Sequence, residues 1–333
     1  MLAEQIPVWS GGGDALLECY RLKGSPELSA IGRRPAAIIC PGGAYLGTSD
    51  REAEPVAMRF LAKGYHAFVL RYTTYYGTLD RTLQREGNPR SVYPQPLLDL
   101  AKAVTIVREH AEEWQVDPDQ IVVVGFSAGG HLAASLGVHW QEPFLRERLS
   151  VDSERLRPNA LVLGYALLDY LLMLEQYAQS AGQPAANGQP SVQGSALPQE
   201  LEMKMELWRK VNVAVFGTVE PTREQLVARS PVCHVGAHTP PTFLWHTAQD
   251  DLVDARHSLR FAMELAKHGI PYELHVFEGG PHGLSLGDET TAALDWHINP
   301  HAAGWLELAF GWLKRRFGFG LQLQADAARN GQN

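Results

Sequence analysis

Short apolar runs alternate with longer amphipathic ones along most of this chain, and that alternation leaves few architectures open. Residues 36–40 (AAIIC), 66–71 (HAFVLR), 120–124 (QIVVV), 159–165 (NALVLGY), 242–246 (TFLWH) and 272–277 (YELHVF) are brief apolar segments closed by turn formers, the pattern of buried strands. Between them, residues 52–63, 97–114, 128–138 and 255–268 repeat their apolar residues every three or four positions. In the second of these, Leu97, Leu100, Ala101, Val104, Val107 and Ala111 make one stripe. Strands that alternate with helices require crossover connections, so the expectation is an α/β fold with a mostly parallel central sheet flanked by helices on both faces. Leu16 to Leu22 is expected to add an antiparallel edge strand. A length of 333 residues would allow two domains, but folds of this class often reach about 250 residues as one unit. We therefore expect a single domain over residues 1–318.

The alternation breaks once, over an insertion at about 168–222. A tract rich in Gly, Pro, Gln, Ser and Ala (179–198) precedes a helix-like stretch, Gln199 to Val211. Such a tract cannot pack a core, so a mobile, lid-like loop is expected there, at the end of the sheet where ligands of this fold class bind. Residues 319–333 read as a flexible tail.

Charge and cysteine usage exclude several functions. The formal charge is −8 and no basic run could track a phosphate backbone, so nucleic acid is not an expected partner. No segment has the roughly 18 apolar residues a membrane span needs, and the first twenty residues (MLAEQIPVWSGGGDALLECY) lack the charged and apolar regions of a signal peptide. Cys19, Cys40 and Cys233 are widely spaced and odd in number, which speaks against a disulfide framework or a thiolate zinc site. His297 and His301 have the spacing of a zinc pair, but Pro300 interrupts the helix they would need, so no metal is expected. A cytoplasmic location and a possible homo-oligomer complete this reading.

The strand ending Ile121-Val122-Val123-Val124 runs straight into Gly125-Phe126-Ser127-Ala128-Gly129-Gly130 and then a helical stretch. Gly-x-Ser-x-Gly between a strand and a helix places the serine on a sharp turn, where small residues two before and two after it let strand and helix pass closely. Its hydroxyl then stands above the sheet, and the Ala128 N–H lies at a helix N-terminus that stabilises developing negative charge. The bland alternative is a glycine-rich turn without chemistry. Upstream, the strand at 36–40 ends in Pro41-Gly42-Gly43-Ala44-Tyr45, where Gly42 can make the bend and Gly43 and Ala44 can offer N–H donors. His131, one turn beyond Ser127, reads as a packing or hydrogen-bonding residue.

Two later strand ends complete a constellation. Thr247-Ala248-Gln249-Asp250-Asp251-Leu252-Val253 follows one, and Glu278-Gly279-Gly280-Pro281-His282-Gly283 follows the next. Serine, acid and histidine in that order, each on a loop after a strand, suit a nucleophile, an orienting carboxylate and a general base. His282 is the base candidate. Asp250, Asp251 and Asp254 compete for the acid, since one of them can instead cap the helix from 255.

These segments, CPGGAY (40–45), GFSAGGHLA (125–133), LWHTAQDDLV (244–253) and GGPHG (279–283), resemble the α/β-hydrolases, in particular the bacterial BD-FAE-like and acetyl-xylan-esterase-like esterases, and more distantly the hormone-sensitive-lipase family. The resemblance implies Ser127, Asp250 and His282 as catalytic triad, with Gly43, Ala44 and Ala128 around the oxyanion. It favours Asp250 because the family's acid falls three residues before a Val, here Val253. The hormone-sensitive-lipase branch usually has HGGG and an acidic residue before the serine, where this chain has Pro41 and Phe126.

The implied reaction is acyl transfer through an acyl-enzyme, with no cofactor. A small-molecule ester substrate of short acyl chain is expected, with an acetylated sugar as one form. Tyr45, Tyr72 and Phe126 are expected to bind it, and Arg71, Tyr75, Tyr76 and Tyr93 could extend that wall. The alternatives are a prolyl-oligopeptidase-like peptidase and a non-catalytic ligand-binding scaffold.

Overall fold

Eight strands pair into one sheet in the computed structural model, which describes residues 1–25, 27, 32–77, 86–180 and 199–318. They are β1 (Leu2–Pro7), β2 (Leu16–Arg21), β3 (Arg34–Cys40), β4 (His66–Arg71), β5 (Val116–Phe126), β6 (Ala160–Gly164), β7 (Thr242–Thr247) and β8 (Tyr272–Phe277), in the order β1-β2-β4-β3-β5-β6-β7-β8. β1–β2 and β2–β4 are antiparallel, and every other neighbouring pair is parallel. The Leu16 strand is antiparallel as expected, yet it is not the edge, because β1 pairs outside it. Five of the six β1 residues are exposed, so its pairing rests on backbone hydrogen bonds and leaves no apolar pattern to read. β8 was expected to be buried and is instead the opposite edge, with Tyr272 and Val276 exposed.

The helices are α1 (Glu54–Ala62), α2 (Gln95–Glu109), α3 (Ser127–His139), α4 (Pro143–Leu149), α5 (Tyr170–Ser180), α6 (Gln199–Phe216), α7 (Arg223–Ala228), α8 (Arg256–Lys267), α9 (Pro300–Ala303) and α10 (Trp305–Phe317). Because strand side chains alternate in direction, β5 feeds two cores. Ile121 and Val123 pack with Leu100 and Val104 of α2 and Leu132 of α3. Val122, Val124 and Phe126 pack with Phe60 of α1 and Trp305 of α10. The continuous apolar run of β5 is thus the mark of a strand covered on both faces.

Within the insertion, α5 was not foreseen, and α6 extends five residues beyond the expected Val211. The Asp169 carboxylate caps α5 by accepting the Leu171 and Leu172 N–H groups, and Arg260 of α8 holds its other oxygen at 2.7 Å. Trp208 of α6 stacks on Tyr177 of α5 at 5.1 Å between ring centres, so the two helices form a small packed unit. The expected loop at 179–198 lies outside the described residues, save for the last two residues of α5, and so does the expected tail at 319–333.

Candidate active site

The ends of β3, β5, β6, β7 and β8 share one rim of the sheet, and the loops leaving them build the site. Ser127 follows β5 directly and adopts φ +51°, a left-handed conformation that costs a non-glycine residue roughly 1–3 kcal/mol. Close packing of strand against helix holds it there. A Cβ on Gly125 would lie 2.3 Å from the Gly129 carbonyl oxygen, and one on Gly129 would lie 2.0 Å from the Cys40 carbonyl oxygen. Both approaches are closed to any residue but glycine.

The His282 Nε2 lies 2.9 Å from Ser127 Oγ, and its Nδ1 lies 2.7 Å from Asp250 Oδ2. The Asp250 side chain is fully buried, whereas His282 keeps 13% of its side chain exposed. Asp250 Oδ1 accepts the Leu252 and Val253 N–H groups at 3.0 and 2.8 Å, which leaves Oδ2 for the imidazole. Burial opposes charge on Asp250, but the His282 charge, with hydrogen bonds from His246 and His282, holds its carboxyl well below the usual carboxylate range. Burial likewise opposes the imidazolium of His282. The Asp250 charge and hydrogen bond outweigh it and raise the His282 pKa above the ordinary 6.5. Asp251 is exposed and accepts the His282 backbone N–H at 3.4 Å, and Asp254 caps the start of α8 through the Arg256 N–H at 2.8 Å. The three acids are thereby sorted by position.

Gly43 and Ala44 are half-buried beside the elbow, with φ of +132° and +57°. Their N–H groups meet no acceptor among the described residues, whereas the Gly42 N–H is taken by Glu52. Ala128 is the second residue of α3, within the first turn, where the N–H groups have no partner in the helix.

The expected substrate-binding aromatics sit elsewhere, and each is a correction. Phe126 is fully buried on the far face of the sheet against Tyr165 and Trp305, because alternation turns it away from the α3 side. Tyr72 is 2% exposed and donates its hydroxyl to the Pro41 carbonyl at 2.7 Å. Tyr45 is buried and bonded to His131 Nδ1 at 2.6 Å, over a void of about 10 Å³, too small for any ligand. These three support the site's loops from behind. Arg71 is engaged with Glu18 and Asp50, and Tyr93 is covered by the Arg229 guanidinium. His131 donates Nε2–H to the Arg229 carbonyl, and burial lowers its pKa to about 4, so it is a neutral packing residue as expected.

Three residues escaped the sequence reading. His246 is fully buried, with Nε2 3.2 Å from Asp250 Oδ2 and 2.7 Å from the Val253 carbonyl, and Nδ1 2.9 Å from Ser258 Oγ. It donates through Nε2, the only ring nitrogen facing acceptors alone. Glu52 and Tyr165 lie behind the site, the Tyr165 ring meeting the His282 ring edge-on at 5.0 Å. A separate cleft of about 350 Å³, lined by Trp9, Asp14, Thr73, Arg90 and Gln95 among others, contains none of Ser127, Asp250 or His282. Among the described residues no cluster of His, Cys, Asp and Glu could hold a metal, and no helix is long and apolar enough to cross a membrane.

The fold is that of α/β-hydrolase enzymes, and the BD-FAE family model matches residues 28–265. The chain belongs to the BD-FAE family. Among curated proteins it is 29% identical over 257 residues to endo-1,4-beta-xylanase B of Butyrivibrio fibrisolvens, a match covering 77% of this chain and 33% of that one. The chain spans about a third to a little over half the length of the curated relatives it matches first. Among solved structures, the carboxylesterase Cest-2923 from Lactobacillus plantarum superposes with a TM-score of 0.71 at 27% identity, over 95% of this chain and 98% of that one. The acetyl ester-xyloside bifunctional hydrolase from Caldicellulosiruptor lactoaceticus gives a TM-score of 0.67 at 29% identity, covering 95% and 97%.

Proposed function

We propose that the chain is a serine carboxylesterase that cleaves short-chain acyl esters, acetylated sugars among them, through an acyl-enzyme on Ser127. The observation that carries this is the unbroken path from Ser127 Oγ through both nitrogens of His282 to the buried Asp250, at 2.9 and 2.7 Å. Asp250 accepts a hydrogen bond from Nδ1–H and holds the proton on that nitrogen, so Nε2 is left as an acceptor for the Ser127 hydroxyl. As the serine oxygen bonds to the ester carbonyl carbon, its proton passes to His282, and the Gly43, Ala44 and Ala128 N–H groups receive the oxyanion. The imidazolium then protonates the leaving alcohol, and water, activated by the same nitrogen, releases the acid and restores the serine. Every step uses groups already on the rim and needs no cofactor.

Two structurally similar enzymes support this substrate class, one named an acetyl ester-xyloside bifunctional hydrolase and the other a carboxylesterase. Residues 1–318 act in this reading as one catalytic unit, with residues 168–222 as an insertion beside the site. Its unpaired cysteines, two of them buried, suit a reducing compartment. The test is a series of p-nitrophenyl esters from acetyl to decanoyl, acetylated xylan, and aminoacyl p-nitroanilides. Fast turnover of acetyl and butyryl esters with acetate release from xylan is expected. Faster turnover of long esters would mark a lipase, and cleavage of the anilides alone would mark a peptidase.

A further inference from the structure

Glu52 is a carboxylate with 4% of its surface exposed, and among the described residues no Lys, Arg or His lies within ion-pair distance of it. Its partners are polar and neutral. Oε2 accepts the Gly42 N–H at 2.7 Å, and Oε1 accepts the Tyr165 hydroxyl at 2.5 Å. The Tyr165 oxygen accepts the Ser285 N–H at 3.0 Å while its hydroxyl donates to Glu52. Burial and the nearby Glu52 push the Tyr165 pKa well up, so that hydrogen stays in place. Both Glu52 oxygens therefore act as acceptors, and the ionised form satisfies the whole network.

One peptide is held at both ends by this arrangement. The Pro41–Gly42 unit donates its N–H to Glu52 and accepts the Tyr72 hydroxyl at its carbonyl oxygen, so it cannot rotate. Gly42 also lies against the nucleophile, since a Cβ built on it would be 2.9 Å from Ser127 Cβ. With the Gly42 N–H turned backward, the next two N–H groups, those of Gly43 and Ala44, are the ones left without a protein acceptor among the described residues. We propose that Glu52 is a positioning residue that orients the oxyanion loop through the Pro41–Gly42 peptide while its buried charge supports the imidazolium of His282.

The charge has a direct route to the base. The His282 ring meets Ser127, Asp250 and Tyr165, Asp251 accepts the His282 backbone N–H, and Tyr165 bridges the ring to Glu52. His246 stands behind Asp250, and Arg51, next to Glu52 in the chain, is bonded to the Thr291 carbonyl. After Asp250, the Glu52 charge is the next to raise the His282 pKa, ahead of Asp251. Removing it must lower that pKa.

This inference rests on the esterase reading, and two substitutions separate its parts. In Glu52→Gln the amide oxygen can still accept from Gly42, which keeps the hold on the Pro41–Gly42 peptide, while the NH₂ turns to the Tyr165 oxygen and the charge is lost. Plateau kcat should stay within about fivefold of native while the acid limb of kcat/KM moves to lower pH. Glu52→Ala frees the peptide, and kcat should fall by about 10- to 100-fold with KM within about twofold, because the loss falls on oxyanion binding. Where Glu52→Ala does not fold, Tyr72→Phe releases the other end of the same peptide and should lower kcat with the acid limb unmoved. An acid limb in Glu52→Gln that coincides with native would overturn the charge role, and full kcat in the folded Glu52→Ala or Tyr72→Phe proteins would overturn the positioning role. Failure of the esterase reading is recognised separately, as native protein whose turnover does not depend on Ser127, and it would take this proposal with it.

Discussion

Replacing Asp250 with asparagine sets four donors against an amide that can satisfy only half of them. Asp250 Oδ1 receives two backbone N–H groups, and Oδ2 receives His282 and His246. The backbone donors cannot change, whereas an imidazole can shift its proton. The asparagine oxygen therefore takes the Leu252 and Val253 side, and its NH₂ faces His282 Nδ1. That nitrogen must become an acceptor, which moves the proton to Nε2, against the Ser127 hydroxyl. The base is then blocked in its resting state. A wrong tautomer of this kind costs about 10⁴ in kcat, roughly 5 kcal/mol. KM should stay within about threefold, since the carboxylate's main contribution arises as the imidazolium forms. Asp251 is exposed and makes one 3.4 Å bond to the His282 N–H, so Asp251→Asn should keep kcat within about threefold of native. Both variants would be checked by circular dichroism and assayed on p-nitrophenyl acetate near pH 8. A dead Asp251→Asn beside an active Asp250→Asn would refute the assignment of the acid.

Other perturbations give separable outcomes. His282 must be neutral to act as base and its pKa is raised, so kcat/KM should be lost as pH falls through a value above the ordinary 6.5, and a limb below that value would contradict the Asp250 pairing. His246→Phe fills the space but leaves the Val253 carbonyl and the Ser258 hydroxyl without their partner. It should lower stability by about 1–3 kcal/mol in urea unfolding and kcat by about tenfold, and an unchanged kcat would remove His246 from the support of Asp250. Gly129→Ala puts a Cβ within 2.0 Å of the Cys40 carbonyl oxygen, so it should cost about 3 kcal/mol or more and reduce activity with it. Native-like unfolding would show that strand and helix have room to separate.

Much of this architecture is legible along the chain because both faces of the sheet are covered. Buried parallel strands such as β5 must be apolar throughout, and the elbow's glycines stand at fixed offsets from Ser127 in one short segment. Tyr45, Tyr72 and Phe126 misled for a related reason. Aromatics near a site have no sequence signal for direction, and in the fold their hydroxyls or rings point into the cores. Glu52 reads along the chain as part of the polar segment DREAEP at a helix start, and His246 as the end of an apolar strand. Their roles depend on distance across the sheet rim, 10 residues from Gly42 for one and 4 from Asp250 for the other, with no spacing rule to announce them. β1 was missed because an exposed strand paired by its backbone carries no hydrophobic alternation.

Covalent trapping identifies the nucleophile, which we propose to be Ser127, without reliance on kinetics alone. Native protein and Ser127→Ala would each be treated with phenylmethylsulfonyl fluoride, then examined by intact mass and peptide mapping, with p-nitrophenyl acetate hydrolysis measured in parallel. One sulfonyl group on the peptide containing Ser127, loss of hydrolysis in step with its attachment, and an unlabelled, inactive Ser127→Ala are the expected results. Label on another residue, or an unlabelled Ser127→Ala that still hydrolyses the ester at more than a few per cent of the native rate, would contradict the account.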